Sequence, residues 1–176
     1  MDKSSKKTLT LNGAKERKDQ NKRLVADGRY LISGNPRRGG LANVYRAFDT
    51  MEERHVALKL FRGSTERDDV VEESFRRETQ ALSALRHPNN IEIYDSGFDE
   101  ETGEHYICME WVDQDLEQFR LKSPFVDWES FYERIGRQIL EGLSFAHSHA
   151  TIHRDIKPSN ILTPNTLYDH PILGCP

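Results

Sequence analysis

Five short β-prone runs, with one amphipathic helix interposed after the third, limit the folds open to this chain. Tyr30-Leu31-Ile32, Ala42-Asn43-Val44-Tyr45-Arg46-Ala47 and His55-Val56-Ala57-Leu58-Lys59-Leu60-Phe61 are separated by Gly/Pro/Arg-rich or charged turns. Such turns are too short for a parallel crossover, so the three runs predict an antiparallel meander. Asp69 to Leu85 then places Val71, Phe75, Leu82 and Leu85 at helical intervals with Glu and Arg between them, and His87-Pro88 stops the helix. Ile91 to Tyr94 and His105 to Trp111 alternate around the polar segment Asp99 to Glu104, whose Thr102-Gly103 marks a hairpin turn. Finally Phe131, Ile135, Ile139, Leu143 and Ala146 predict a long helix leading into the loop Thr151 to Asn160. The fold class is α+β: a five-stranded antiparallel sheet with one amphipathic helix, followed by the start of a helical region.

Charge separates a leading segment from this pattern. Residues 1–28 hold eight Lys/Arg and four Asp/Glu, a net of +4, which leaves a net of −8 on the rest of a chain whose total is −4. With few large apolar residues, this stretch cannot offset the entropy of ordering, and it reads as a basic flexible tail. It lacks the interleaved aromatics of a nucleic-acid-binding segment, so no nucleic-acid partner is expected. No run approaches the ~18 apolar residues of a membrane span and no apolar leader is present, so the expected location is cytoplasmic. Cys108 and Cys175 form no CxxC pair, and His147, His149 and His153 read as one helix end and the loop after it rather than a metal cluster.

The chemistry is concentrated in His153-Arg154-Asp155-Ile156-Lys157-Pro158-Ser159-Asn160. An Asp, a Lys two positions on and an Asn five positions on can converge on a transferring phosphoryl group. The carboxylate orients the attacking hydroxyl, the ammonium meets developing charge, and the amide oxygen meets a metal. This octet resembles the catalytic loop of protein kinases, and its Lys157-Pro158 pair is similar to the serine/threonine branch. The resemblance implies Asp155 and Lys157 as catalytic residues and Asn160 as a metal ligand, with Mg-ATP as cofactor and a protein hydroxyl as phosphoryl acceptor.

The resemblance extends upstream. Val56-Ala57-Leu58-Lys59 resembles the strand whose lysine, here Lys59, holds the α- and β-phosphates, and Phe75-Arg76-Arg77-Glu78 resembles the helix segment whose glutamate, here Glu78, pairs with it. Arg37 to Val44 takes the place of the glycine-rich phosphate loop. The family's first glycine is Arg37 here and its third is Ala42, leaving Gly39 with Gly40 beside it, which implies a weaker grip on phosphates; the sign of Arg37's effect stays open. The resemblance further implies an adenine pocket with Val44 and Ala57 on one face, Leu162 on the other, Met109 at the rear, and backbone hydrogen bonds from Glu110 and Val112.

The family's Asp-Phe-Gly, whose Asp binds magnesium, does not occur. Either Ile172-Leu173-Gly174 stands in its place or Cys175-Pro176 does, and Asp169 lies too early in the segment to substitute. The expected organisation is a tail over 1–28, a nucleotide-holding lobe over 29–112 and an incomplete helical lobe over 113–176, truncated at or before the metal motif. Inefficient catalysis by the chain alone is the consequence, since a lost metal contact costs a factor of ten per ~1.4 kcal/mol. The stripe Phe131, Ile135, Ile139, Leu143 is expected to be open and to invite association. Two other readings stand beside the kinase: a non-catalytic, pseudokinase-like interaction module, and a truncation product without a separate role.

Overall fold

The computed structural model describes residues 23–62, 68–164 and 171–174. Residues 1–22 of the expected tail, together with Asp169, His170, Cys175 and Pro176, lie outside the described residues. Strands β1 (Arg23–Val25), β2 (Tyr30–Arg38), β3 (Ala42–Asp49), β4 (Arg54–Phe61), β5 (Ile93–Asp99) and β6 (Glu104–Glu110) form one sheet in the order β1-β2-β3-β4-β6-β5. Every neighbouring pair is antiparallel.

That is one strand more than the sequence predicts, and the extra strand comes from the end of the stretch read as tail. Arg23–Val25 is too short to show a period, and its pairing with Tyr30–Ile32 depends on partners distant in sequence. Arg23 forms an ion pair with Glu104, and the Ala26 N–H donates to Asp99 Oδ2 at 2.6 Å. Ala26 and Asp27, both at positive φ, lead into Gly28 at +84°, which turns the chain back.

Alternation along β4 explains how the sheet serves two purposes. Val56, Leu58 and Leu60 point into one core with Tyr30, Ile32 and Tyr45, whereas Ala57 and Phe61 join a second core on the opposite face. Lys59 shares that second face. Across it, helix α1 (Asp68–Ala84) buries Val71 and Leu82, and Phe75 meets Phe61 edge-on with ring centroids 5.7 Å apart. Glu78 lies on the same helix face, because 71, 75, 78 and 82 follow the helical period.

The rest of the chain is layered on a smaller sheet. β7 (Gln114–Asp115), β8 (Ile161–Thr163) and β9 (Ile172–Leu173) pair antiparallel in that order, beside α2 (Leu116–Lys122), α3 (Trp128–Phe131) and α4 (Arg137–Ser148). A π-helical turn, Tyr132–Gly136, joins α3 to α4, so the long helix expected from sequence is interrupted. The apolar stripe on it is not open, contrary to expectation. Ile135 is buried, and Phe131, Ile139 and Leu143 pack around Leu116, Ile161 and Leu173, because α2 and the small sheet fold back over them. Association through that stripe therefore loses its stated basis; the exposed apolar side chains here are Leu121, Val126, Trp128 and Leu140. No helix among the described residues is long and apolar enough to cross a membrane.

The turn after α1 joins the two parts. Asn89 Nδ2 donates to the Pro171 carbonyl at 3.1 Å, the Leu173 N–H donates to Asn89 O at 2.8 Å, and the Ile91 N–H donates to Leu173 O at 3.0 Å. Helix α4 approaches this turn closely at Gly142, where a Cβ would stand 2.9 Å from Asn90 Oδ1 and 3.1 Å from Asn89 O.

Candidate active site

Lys59 sits on the central strand between Val44 of β3 and Ile107 of β6, its direct partners across the ladder. Directly opposed residues share a face, so these two side chains flank the ammonium stem. Lys59 Nζ donates to Glu78 Oε1 at 2.5 Å, and both side chains are largely shielded, 14% and 12% exposed. Shielding makes this pair stronger than a solvated surface pair, since water competes less for either charge. The pairing expected from sequence is present.

The walls expected for adenine also meet. Ala57 and Met109 are buried in one cluster, and Val44, Val112 and Leu162 pack against it, so residues from β3, β4, β6, β8 and the segment after β6 meet in one apolar cluster. The start of that segment is held rigidly: the Glu110 N–H donates to Glu92 O and the Glu110 carboxylate accepts from the Glu92 N–H, each at 3.0 Å. Burial pushes the Glu110 carboxyl above its ordinary range, with the neighbouring Glu92 charge adding to the effect against that backbone donor.

In the loop, the trio converges. Lys157 Nζ donates to Asp155 Oδ2 at 2.7 Å, and Asn160 Nδ2 donates at 2.9 Å to both the Asp155 carbonyl and Oδ2. The Lys157 ammonium, with help from Asn160, holds the Asp155 carboxyl below the usual carboxylate range, so it is ionised throughout neutral pH. Arg154 precedes it at φ +62°, a left-handed conformation that a residue with a Cβ rarely adopts and that is characteristic of functional turns. His153 fixes the loop from the other side. Its Nδ1 accepts the Asp155 N–H at 3.3 Å, which leaves Nε2 as the donor to Gly174 O at 2.9 Å.

Glu78 from α1, His153 from the loop and Gly174 after β9 line a cavity of about 700 Å³ between α1 and the loop, and Lys59, the adenine walls and the trio Asp155, Lys157 and Asn160 lie outside its lining. A magnesium ion finds only part of a site here. With its amide nitrogen committed to Asp155, Asn160 has its oxygen left to offer, and the described segment Pro171–Gly174 contains no carboxylate to oppose it. Magnesium is ordinarily held by one or two carboxylates together with phosphate oxygens, so the described residues do not complete one, and among them no group of three or more His, Cys, Asp or Glu forms a metal cluster.

The hairpin between β2 and β3 departs most from a phosphate cradle. Gly39 donates its N–H to Ala42 O at 3.0 Å, and a Cβ on Gly39 would lie 2.7 Å from that same oxygen, so glycine is required by the turn itself. Gly40 has open space around it. Arg37 extends to Asp115, with Nη1 3.9 Å from Oδ2. Asp115 was not singled out from the sequence, although an Asp immediately before an apolar-periodic run is a helix N-cap signal, and it does cap α2 through the Gln118 N–H at 2.9 Å. Its pairing with a residue 78 positions away left no sequence signal.

The chain is similar to known proteins over most of its length. The family model of the protein kinase domain covers residues 37–168. The chain is 40% identical over 147 residues to the probable serine/threonine-protein kinase PknB of Lactococcus lactis, covering 82% of this chain and 23% of that protein. It is 41% identical over 137 residues to the serine/threonine-protein kinase PrkC of Bacillus subtilis, covering 77% and 20%. With the serine/threonine-protein kinase pkn3 of Myxococcus xanthus it shares 37% identity over 138 residues, 76% of this chain and 24% of the other. The chain thus spans about a fifth to a quarter of the length of these curated relatives.

Proposed function

Because the chain belongs to the protein kinase family, on its serine/threonine branch, we propose that it binds ATP between the six-stranded sheet and β8, and that its loop serves transfer of the γ-phosphoryl group to a protein Ser or Thr hydroxyl. The observation that carries this reading is the shielded Lys59–Glu78 pair on the sheet face that Val44 and Ala57 share. Lys59, oriented by Glu78, would hold the α- and β-phosphates. Val44, Ala57 and Leu162 would enclose the adenine, with backbone groups of Glu110 and Val112 at its edge. Asp155, ionised and held by two donors, would accept the hydrogen bond of the incoming hydroxyl and fix its direction of attack, while Lys157 would balance charge on the transferring oxygens. When bound, magnesium supplies charge neutralisation at the β- and γ-oxygens, and Asn160 would be this chain's contact to it. The division near residue 112, with nucleotide held before it and the catalytic loop after it, belongs to the same proposal.

The full chain should gain thermal stability with Mg-ATP. A ligand at 100 times its Kd adds about 2.7 kcal/mol, a rise of several degrees in Tm. Lys59→Ala should remove the rise, and no rise with the intact chain overturns the binding proposal. Phosphotransfer from radiolabelled ATP to a generic protein substrate should be detectable and should vanish in Asp155→Asn. A second reading, a nucleotide-responsive interaction module, is favoured by the carboxylate-free Pro171–Gly174 segment, and a thermal shift without any turnover selects it.

A further inference from the structure

We infer that Arg37 and Asp115 form an electrostatic strap across the mouth of the nucleotide cleft, which must open before a nucleotide enters or leaves. The inference rests on the ATP-cleft reading above and extends it to the control of exchange. In the β2–β3 ladder Arg37 stands directly opposite Val44, and in the β7–β8 ladder Asp115 stands directly opposite Leu162. Opposed residues in an antiparallel pair project from the same face. Arg37 therefore projects on the same side of the upper wall as Val44, and Asp115 on the same side of the lower wall as Leu162, and Nη1 and Oδ2 meet at 3.9 Å. These are the two walls between which adenine is proposed to lie.

The two ends of the strap differ in a way that suits a gate. Asp115 is fixed: its side chain is only 9% exposed, and it is held by the α2 N–H it caps. Arg37 is 52% exposed and follows a break in register between Ser33 and Arg37, close to the tip of the hairpin. A long cation on a bendable hairpin reaches down to an anchored anion. The strap gives the arginine at that position a direction of action. Its charge is engaged by the lower wall rather than left free above the phosphates, so it ties the hairpin down instead of merely crowding the nucleotide.

Half-exposed ion pairs are modest, so the strap should slow exchange by about two- to fivefold. Asp115→Asn removes the charge but keeps a side-chain oxygen able to cap α2, and Arg37→Gln removes the other charge. In stopped-flow mixing of the full chain with N-methylanthraniloyl-ATP, each single variant should raise both association and dissociation rates by that factor. The double variant should gain no more than either single one, and added NaCl should speed the unaltered chain towards the variants. A second readout needs no nucleotide: amide hydrogen exchange across residues 37–44 of the free chain should quicken two- to fivefold in either variant. Failure of the unaltered chain to bind the analogue would count against the ATP reading, while exchange in the hairpin still reports on the strap. Unchanged hairpin exchange, or rate gains that add in the double variant, overturns the strap.

Discussion

Replacing Gly142 by Ala tests how tightly the two parts of the molecule are joined, because two effects of known sign oppose each other there. In an exposed helix interior Gly→Ala stabilises by about 1 kcal/mol, so α4 taken alone would gain. The added methyl, however, would stand 2.9 Å from Asn90 Oδ1, 3.0 Å from Leu173 Cδ1 and 3.1 Å from Asn89 O. Asn90 is a side-chain end, but it is 8% exposed and has little room to turn, and Leu173 is 5% exposed. Asn89 O is backbone and is pinned by the Leu173 N–H at 2.8 Å. Overpacking costs about 1–3 kcal/mol, and three contacts at 2.9–3.1 Å in a buried site place this one in the upper part of that range, about 2–3 kcal/mol, so the net expected is a loss of about 1–2 kcal/mol despite the better helix former. At about 2–4 °C per kcal/mol for a chain of this size, Tm should fall by roughly 2–8 °C. Gly136→Ala is the internal comparison: its nearest contacts, ring carbons of Tyr132 and Phe131 at 3.3 and 3.4 Å, are softer, so its loss should be smaller. Thermal unfolding followed by circular dichroism reads both variants. A Gly142→Ala protein at or above the stability of the unaltered chain would refute the close approach of α4 to the Asn89-Asn90 turn.

Two other outcomes follow from charge placement. Asp49 is fully buried; burial raises its carboxyl, but hydrogen bonds from Arg29 at 2.9 and 3.1 Å, aided by the Met51 and Glu52 N–H groups, outweigh this and hold it below the usual range. In the unaltered chain that contribution is present above the unfolded value of about 3.9 and is lost as pH falls through the lower folded value. Arg29→Met should cost about 3 kcal/mol or more at pH 7, and burial should then raise the folded value, so the variant recovers as pH drops towards 4; urea unfolding that shows the same loss at every pH would refute this. Lys157→Met removes the main cause that lowers Asp155, so its carboxyl should move up towards the ordinary range in a ¹³C NMR titration, and an unchanged titration would remove Lys157 as the cause.

The sequence was most legible where a local period carried the information. The alternation Val56-Ala57-Leu58-Lys59-Leu60-Phe61 foretells which face Lys59 occupies, and the helical spacing of Val71, Phe75 and Leu82 puts Glu78 on the face that meets it. The loop trio was legible because Asp155, Lys157 and Asn160 are five positions apart, and local geometry alone brings them together. What stayed hidden depends on distant partners. Arg23–Val25 is a strand only because Tyr30–Ile32, Asp99 and Glu104 receive it, and the Phe131–Leu143 stripe is covered only because Leu116, Ile161 and Leu173 return over it. Hidden for the same reason was how the segment Pro171–Gly174 is used, since its partners lie far away in sequence.

That use lies in β9. Leu173 bonds the turn after α1 in both directions, accepting from Ile91 N–H and donating to Asn89 O, and it also stands opposite Ile161 in the small sheet. The next residue, Gly174, donates its N–H to Asn160 O at 2.8 Å and accepts from His153 Nε2. Two consecutive residues therefore connect the helix that carries Glu78 to both ends of the loop that carries Asp155. Their backbone supplies all of these bonds, so the connection tolerates the loss of an acidic side chain from this segment. Among the described residues, the backbone of Leu173 and Gly174 thus joins the turn after the helix that carries Glu78 to the loop that carries Asp155, with no carboxylate of its own taking part.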